Sequence, residues 1–84
     1  MASGADRLAT LLTQVANGHL SGEDALRLMD SEQFDRADWR SRRFEDAYHL
    51  LQHFAADEDI RETDPTYAKR QRASLEKMAQ RLRE

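Results

Sequence analysis

LATLLTQVANGHLSGEDALRLM, residues 8–29, holds two amphipathic helices and the stop and start signals between them. Leu8, Leu11, Leu12 and Val15 recur at spacings of three and four, so they share one face of a helix expected over 5–16. Asn17-Gly18 then suits a left-handed C-terminal cap, because glycine lacks the Cβ that makes that conformation costly. Ser21 reads as the N-cap of a second helix over 22–30, with Asp24 three residues on in place of a capping-box Glu and Leu20 stapling the entry. Ala25, Leu26 and Met29 face inward, and the pair forms a helical hairpin. The Asn17–Leu26 pattern follows from cap chemistry and carries no function with it.

Downstream, Phe34 is the one anchor in a connector spanning 31–35, and Asp35 or Asp38 caps a third helix expected over 36–56. At about 100° per residue, Trp39, Phe44, Ala47, Tyr48, Leu50, Leu51, Phe54 and Ala55 cover roughly half its circumference. A stripe that wide serves more than one neighbour, and the aromatic residues in it are expected to be core. Asp57-Glu58-Asp59 reads as a polar break, and Asp64-Pro65 restarts the chain with Asp as N-cap and Pro at the first helical position. The last helix is expected over 65–83, with an inward row of Tyr67, Gln71, Ser74 or Leu75, Met78 and Leu82.

The expected fold is therefore all-α, a compact bundle of three or four helices in a single domain over 1–84. Composition agrees. Three Gly and one Pro cannot supply the turns of an all-β domain, and β-branched residues amount to four Thr, one Val and one Ile. No cysteine is present, which excludes disulfide staples and thiolate zinc sites. Apolar runs are only two or three residues long, far short of the ~20 that a membrane span needs. The N-terminal residues show no cationic run followed by an apolar stretch, so no signal peptide is read there and a cytoplasmic location is the expectation.

Few residue patterns suggest chemistry. His49 and His53 stand four apart, a spacing that lets two imidazoles reach one metal ion, and they are the only metal candidates. Leu50 stands where a zinc protease has its Glu, Asp46 or Asp57 would have to supply the third ligand, and both rings fall away from the apolar arc. The five Ser and four Thr sit at caps, in loops or on polar faces without a nucleophile elbow, and the glycines match no phosphate-binding loop. The chain is accordingly expected not to be an enzyme, and no cofactor is expected.

Charge is distributed unevenly. Residues 1–35 hold two Lys or Arg against six Asp or Glu, residues 36–64 five against eight, and residues 65–84 six against two. A basic last helix on an acidic body raises nucleic-acid binding, joined by Arg36, Arg40, Arg42 and Arg43. However, Lys69, Arg72 and Arg83 fall on one side of the apolar row and Arg70, Lys77 and Arg81 on the other, the pattern of long side chains flanking a packed seam. Nucleic acid is thus disfavoured, and a bilayer more so, because this helix lacks bulky apolar density. Asp57, Glu58, Asp59 and Glu62 form an acidic run that reads either as a solvated junction or as a docking face for a basic partner. Leu28 lies opposite Leu26 on the second helix, so the two cannot face one core. These residues are the candidate partner-binding set, and together with the weak seam of the last helix they raise a homodimer. The expected function is a small non-catalytic protein-interaction module, with a nucleic-acid-associated regulator as the alternative.

Overall fold

Helix α1 (Gly4–Ala16) starts at Ser3, whose side chain accepts from the Asp6 N–H at 3.1 Å. It ends as the sequence requires. The Gly18 N–H donates to the Val15 carbonyl at 3.1 Å and the His19 N–H to the Gln14 carbonyl at 2.9 Å, with Gly18 at φ 79°. This is a Schellman closure, in which a left-handed residue lets two N–H groups satisfy carbonyls of the last turn. Helix α2 (Gly22–Ser31) opens with the Ser21 hydroxyl accepting from the Asp24 N–H at 3.0 Å. The computed structural model describes residues 3–31 and 34–84, so part of the connector after α2, residues 32–33, lies outside the described residues.

The expected helix over 36–56 is two helices, α3 (Arg36–Arg40) and α4 (Arg42–Ala56). Ser41 separates them with an extended backbone, φ −68° and ψ 128°, and serves as C-cap of one and N-cap of the other. The break has a packing cause. In one continuous helix residues 39 and 44 would point about 140° apart. With the chain bent at Ser41, the Trp39 ring meets Phe44 at 4.7 Å and Tyr48 at 5.3 Å between centroids. The expected polar break likewise contains a short helix, α5 (Glu58–Thr63), which follows Asp57 directly. Helix α6 (Pro65–Arg83) then starts at Asp64, whose carboxylate accepts from the Tyr67 N–H at 3.1 Å, with Pro65 at the first position.

The fold is all-α, as the sequence implies, and no strand occurs among the described residues. Leu8, Leu12, Val15, Met29, Phe44, Leu51 and Leu75 are its largest fully buried side chains and belong to one continuous core. Helices α1 and α6 make the most extensive contact. The inward row of α6 differs from expectation: Ala68, Leu75, Ala79 and Leu82 are buried, Tyr67, Gln71 and Met78 are half-buried, and Ser74 is exposed. Alanines are buried on both helices, Ala9 and Ala16 on α1 and Ala68 and Ala79 on α6, as suits two backbones that approach closely.

The chain directions place everything else. Gly4 lies against Asp38, and Val15 and Arg72 line one groove, so α1 and α6 run antiparallel. Gly22 packs on Phe54 and Ala55, so α2 runs antiparallel to α4. One end of the 38 × 24 × 21 Å molecule therefore carries α3 and the C-terminus of α6, and the other carries the α1–α2 turn and α5.

Candidate interaction surface

At the α3 end, the Asp38 carboxylate reaches back to accept from the Asp35 N–H at 3.2 Å and fixes the start of the short helix. None of the residues of α3 is buried, and Trp39 is 37% exposed. Trp39 is expected in the core; the bend at Ser41 instead carries it to the rim, where its ring makes T-shaped contacts with its neighbours. Phe34 contacts Trp39 at 6.5 Å and Phe44 at 4.9 Å between centroids, and the Arg7 guanidinium lies 4.9 Å from the Phe34 ring. Only Phe44 of this group is fully buried, so it roots the cluster in the core while Phe34 and Tyr48 are half-buried supports. T-shaped pairs of this kind set ring positions as well as contributing energy.

Arginines flank Trp39 in the chain. Arg43 donates from Nη1 to the Arg81 carbonyl at 2.9 Å, which satisfies a terminal carbonyl of α6 and places a positive group at the negative end of its dipole. That bond brings the start of α4 beside the last turn of α6, which carries Arg81 and Arg83. Arg36, Arg40 and Arg42 are exposed and make no ion pair or side-chain hydrogen bond among the described residues.

The opposite end is built around α5. The Asp57 carboxylate accepts from the Tyr67 hydroxyl at 2.6 Å and from Gln71 Nε2 at 3.0 Å. Gln71 in turn accepts from Arg61 Nη1 at 2.8 Å, and the same guanidinium donates to the Phe54 carbonyl and lies 3.5 Å from the centre of the Phe54 ring. Burial lowers the Arg61 pKa, with Glu58 and Asp57 opposing, and the hydrogen bond to Asp57 raises that of Tyr67, helped by burial. This network ties α4, α5 and α6 together. Of the candidate acids, Asp57 is therefore a half-buried member of the internal network, whereas Glu58, Asp59 and Glu62 are exposed beside Ile60, itself 48% exposed. A groove of about 600 Å³ runs between α5 and the α1–α2 turn, with Glu23, Asp24, Glu58, Glu62, Arg61 and Arg72 among its lining.

The remaining candidates are placed as follows. Leu26 packs on the core and Leu28 is 37% exposed, so the two do take opposite sides of α2. His49 and His53 are both exposed; His49 Nδ1 is 3.2 Å from Gln52 Oε1 and its Nε2 3.6 Å from Glu45 Oε1. No three His, Cys, Asp or Glu side chains converge to hold a metal ion among the described residues. The hydroxyls of Thr10, Thr13 and Ser74 bond carbonyls of their own helices. No described helix is long and apolar enough to cross a membrane.

The exposed indole and the Arg61 clamp are the two features that helical periodicity missed. Ser41, a helix-starting residue in the middle of the apolar pattern, is the signal that could have revealed the first. Compared with known proteins, the chain matches no family model, no curated protein and no solved structure.

Proposed function

We propose that the protein is a small non-catalytic module that binds a protein partner through the Trp39 surface. The observation that carries this reading is an indole left more than one-third open while three neighbouring rings hold it in T-shaped contacts. A side chain held in this way has little rotamer freedom left to lose on binding and offers a large contact area. Tryptophan and arginine are also the residues that most often dominate binding energy at protein interfaces, and Arg36, Arg40 and Arg42 accompany Trp39. The test is capture from native extract with and without nuclease, followed by mass spectrometry, using wild type and Trp39→Ala. A defined protein retained through nuclease treatment and lost with Trp39→Ala is the expected result. Equal retention by the variant contradicts the reading.

Nucleic-acid association is the second reading, favoured by the Arg43–Arg81 contact that sets the arginines of α3 and α4 beside Arg81 and Arg83 of the last turn of α6. It predicts a steep linear fall of log affinity with log salt, as neutralised phosphates release counterions. Loss of all captured material on nuclease treatment would select it. Against it, Asp35, Asp38, Glu45 and Asp46 are interspersed with the arginines of this end.

A further inference from the structure

Among the described residues, every side-chain hydrogen bond from α5 to the rest of the molecule comes from Arg61. Glu58, Asp59, Ile60, Glu62 and Thr63 are exposed, and only Arg61 is partly covered. The Thr63 hydroxyl bonds carbonyls of α5 itself, at Asp59 and Ile60. Arg61 alone reaches across, donating to the Phe54 carbonyl and to Gln71 Oε1 at 2.8 Å, with its guanidinium 3.5 Å from the centre of the Phe54 ring. No buried apolar row backs up this contact. A six-residue helix does not persist in water by itself, because fixing its first turn costs more than its few backbone bonds return. The clamp therefore decides whether α5 stays formed.

Both ends of α5 are held independently of it. Asp57, just before it, is bonded to Tyr67 and Gln71, and Asp64, just after it, caps α6 at the Tyr67 N–H. Asp64 also has an extended backbone, φ −130° and ψ 93°, as suits a residue before proline, so α5 does not run on into α6. Residues 58–63 are thus a short segment between two fixed points, and releasing Arg61 frees it without undoing either cap. The same segment helps to form the groove, where Glu58, Arg61 and Glu62 line the space together with Val15, Leu20 and Phe54.

We propose that α5 is a latch that opens as a unit while the rest of the bundle stays folded, with the Arg61 guanidinium as its catch. Few buried contacts and solvent-exposed backbone bonds place a segment at the low end of local stability. Opening moves Glu58, Arg61 and Glu62 away from the groove and takes the cation off the Phe54 ring, which is 6% exposed while α5 is closed. The device thereby uncovers apolar surface at the end of the molecule opposite Trp39, and it stands or falls independently of the Trp39 reading.

The test is native-state hydrogen exchange of the full chain, followed by NMR in urea concentrations below the unfolding transition. In wild type the amides of residues 62–64, bonded within α5, should exchange at least about a hundredfold faster than those of Leu12 and Leu75 in the core, relative to an unstructured chain. Their exchange should also be almost insensitive to urea, because a local opening exposes little surface, whereas the core amides should follow the slope of global unfolding. Arg61→Ala should lower the protection of 62–64 at least about tenfold. Leu12 and Leu75 should lose no more protection than the α5 amides had in wild type, since the variant can forfeit only what closing the latch supplied.

Amides of α5 that exchange only together with the core, with the same urea slope, overturn the proposal from wild type alone. Protection of 62–64 that is unchanged in Arg61→Ala overturns Arg61 as the catch. A larger loss at Leu12 and Leu75, or a variant that does not fold, shows that Arg61 supports the whole bundle and likewise overturns the latch.

Discussion

Tyr67 shows how much one side chain can tie together. Its hydroxyl donates to Asp57 at 2.6 Å and itself accepts from Gln71 Nε2 at 3.2 Å, so α6 holds the end of α4 through a neutral phenol. The bond to Asp57 raises the phenol pKa above its ordinary 10.0, since ionisation would remove the donor and set a second negative charge beside the carboxylate. A pKa raised by folding contributes stability that is fully present below the unfolded value and is lost as pH climbs through the folded one. Tyr67→Phe should therefore unfold at lower denaturant than wild type at pH 7, and the gap should close as the pH rises past about 10. Paired urea titrations at the two pH values check this. Two glycines make a second test. A Cβ on Gly22 would come within 2.9 Å of Phe54 and 3.1 Å of the Ala55 backbone, whereas one on Gly18 meets nothing but must accept φ 79°. Gly22→Ala should cost roughly 1–3 kcal/mol through overpacking, and Gly18→Ala about 1–2 kcal/mol through the left-handed backbone alone. Denaturation of both variants gives the comparison. Cap residues such as Gly18, Ser21 and Asp64 are legible in the sequence because their chemistry is local. The Tyr67–Asp57–Gln71–Arg61 network is not, because a hydrogen bond across ten or more residues leaves no local pattern.

Elements with a strong period were equally legible: α1, α2 and α6 lie close to where residue spacing puts them. The failures are the two short helices. Nothing in α3 or α5 is buried, so neither carries a periodic apolar row to announce it. Each is set by what lies beside it, α3 by the ring cluster on α4 and α5 by the Arg61 clamp. On α6 the buried row differs from the expected one because alanine gives a weak apolar signal, although Ala68 and Ala79 are both buried. If close approach is the reason for these alanines, Ala79→Leu should force the helices apart at a cost of roughly 1–3 kcal/mol, while Ala73→Leu on the exposed side should change stability by less than about 0.5 kcal/mol. Thermal unfolding of the two variants separates a packed seam from a general intolerance of larger residues.

At the scale of the whole molecule, the ring cluster with Arg36, Arg40, Arg42 and Arg43 is on one end and the acidic helix, with Arg61 and Arg72 beside it, on the other, about the length of α4 apart. This division was only partly readable. The run of acids and the basic last helix stand out in the sequence, but Trp39 looked like core because a continuous helix puts it on the apolar arc. The bend at Ser41 changes its role from filling the interior to presenting a surface. Trp39→Ala should therefore cost about 1–2 kcal/mol, less than the roughly 3–5 kcal/mol of a buried aromatic truncation, as measured by equilibrium unfolding. Trp39 is the only tryptophan in the chain, so its fluorescence reports this surface without a label. The most direct test of the account is acrylamide quenching of that fluorescence, in dilute free protein and after addition of the partner retained through nuclease treatment. Ready quenching in the free protein that falls when the partner is added is the predicted result. An indole already shielded in the dilute protein, or one as open in the complex as before it, would contradict the claim that Trp39 is the anchor.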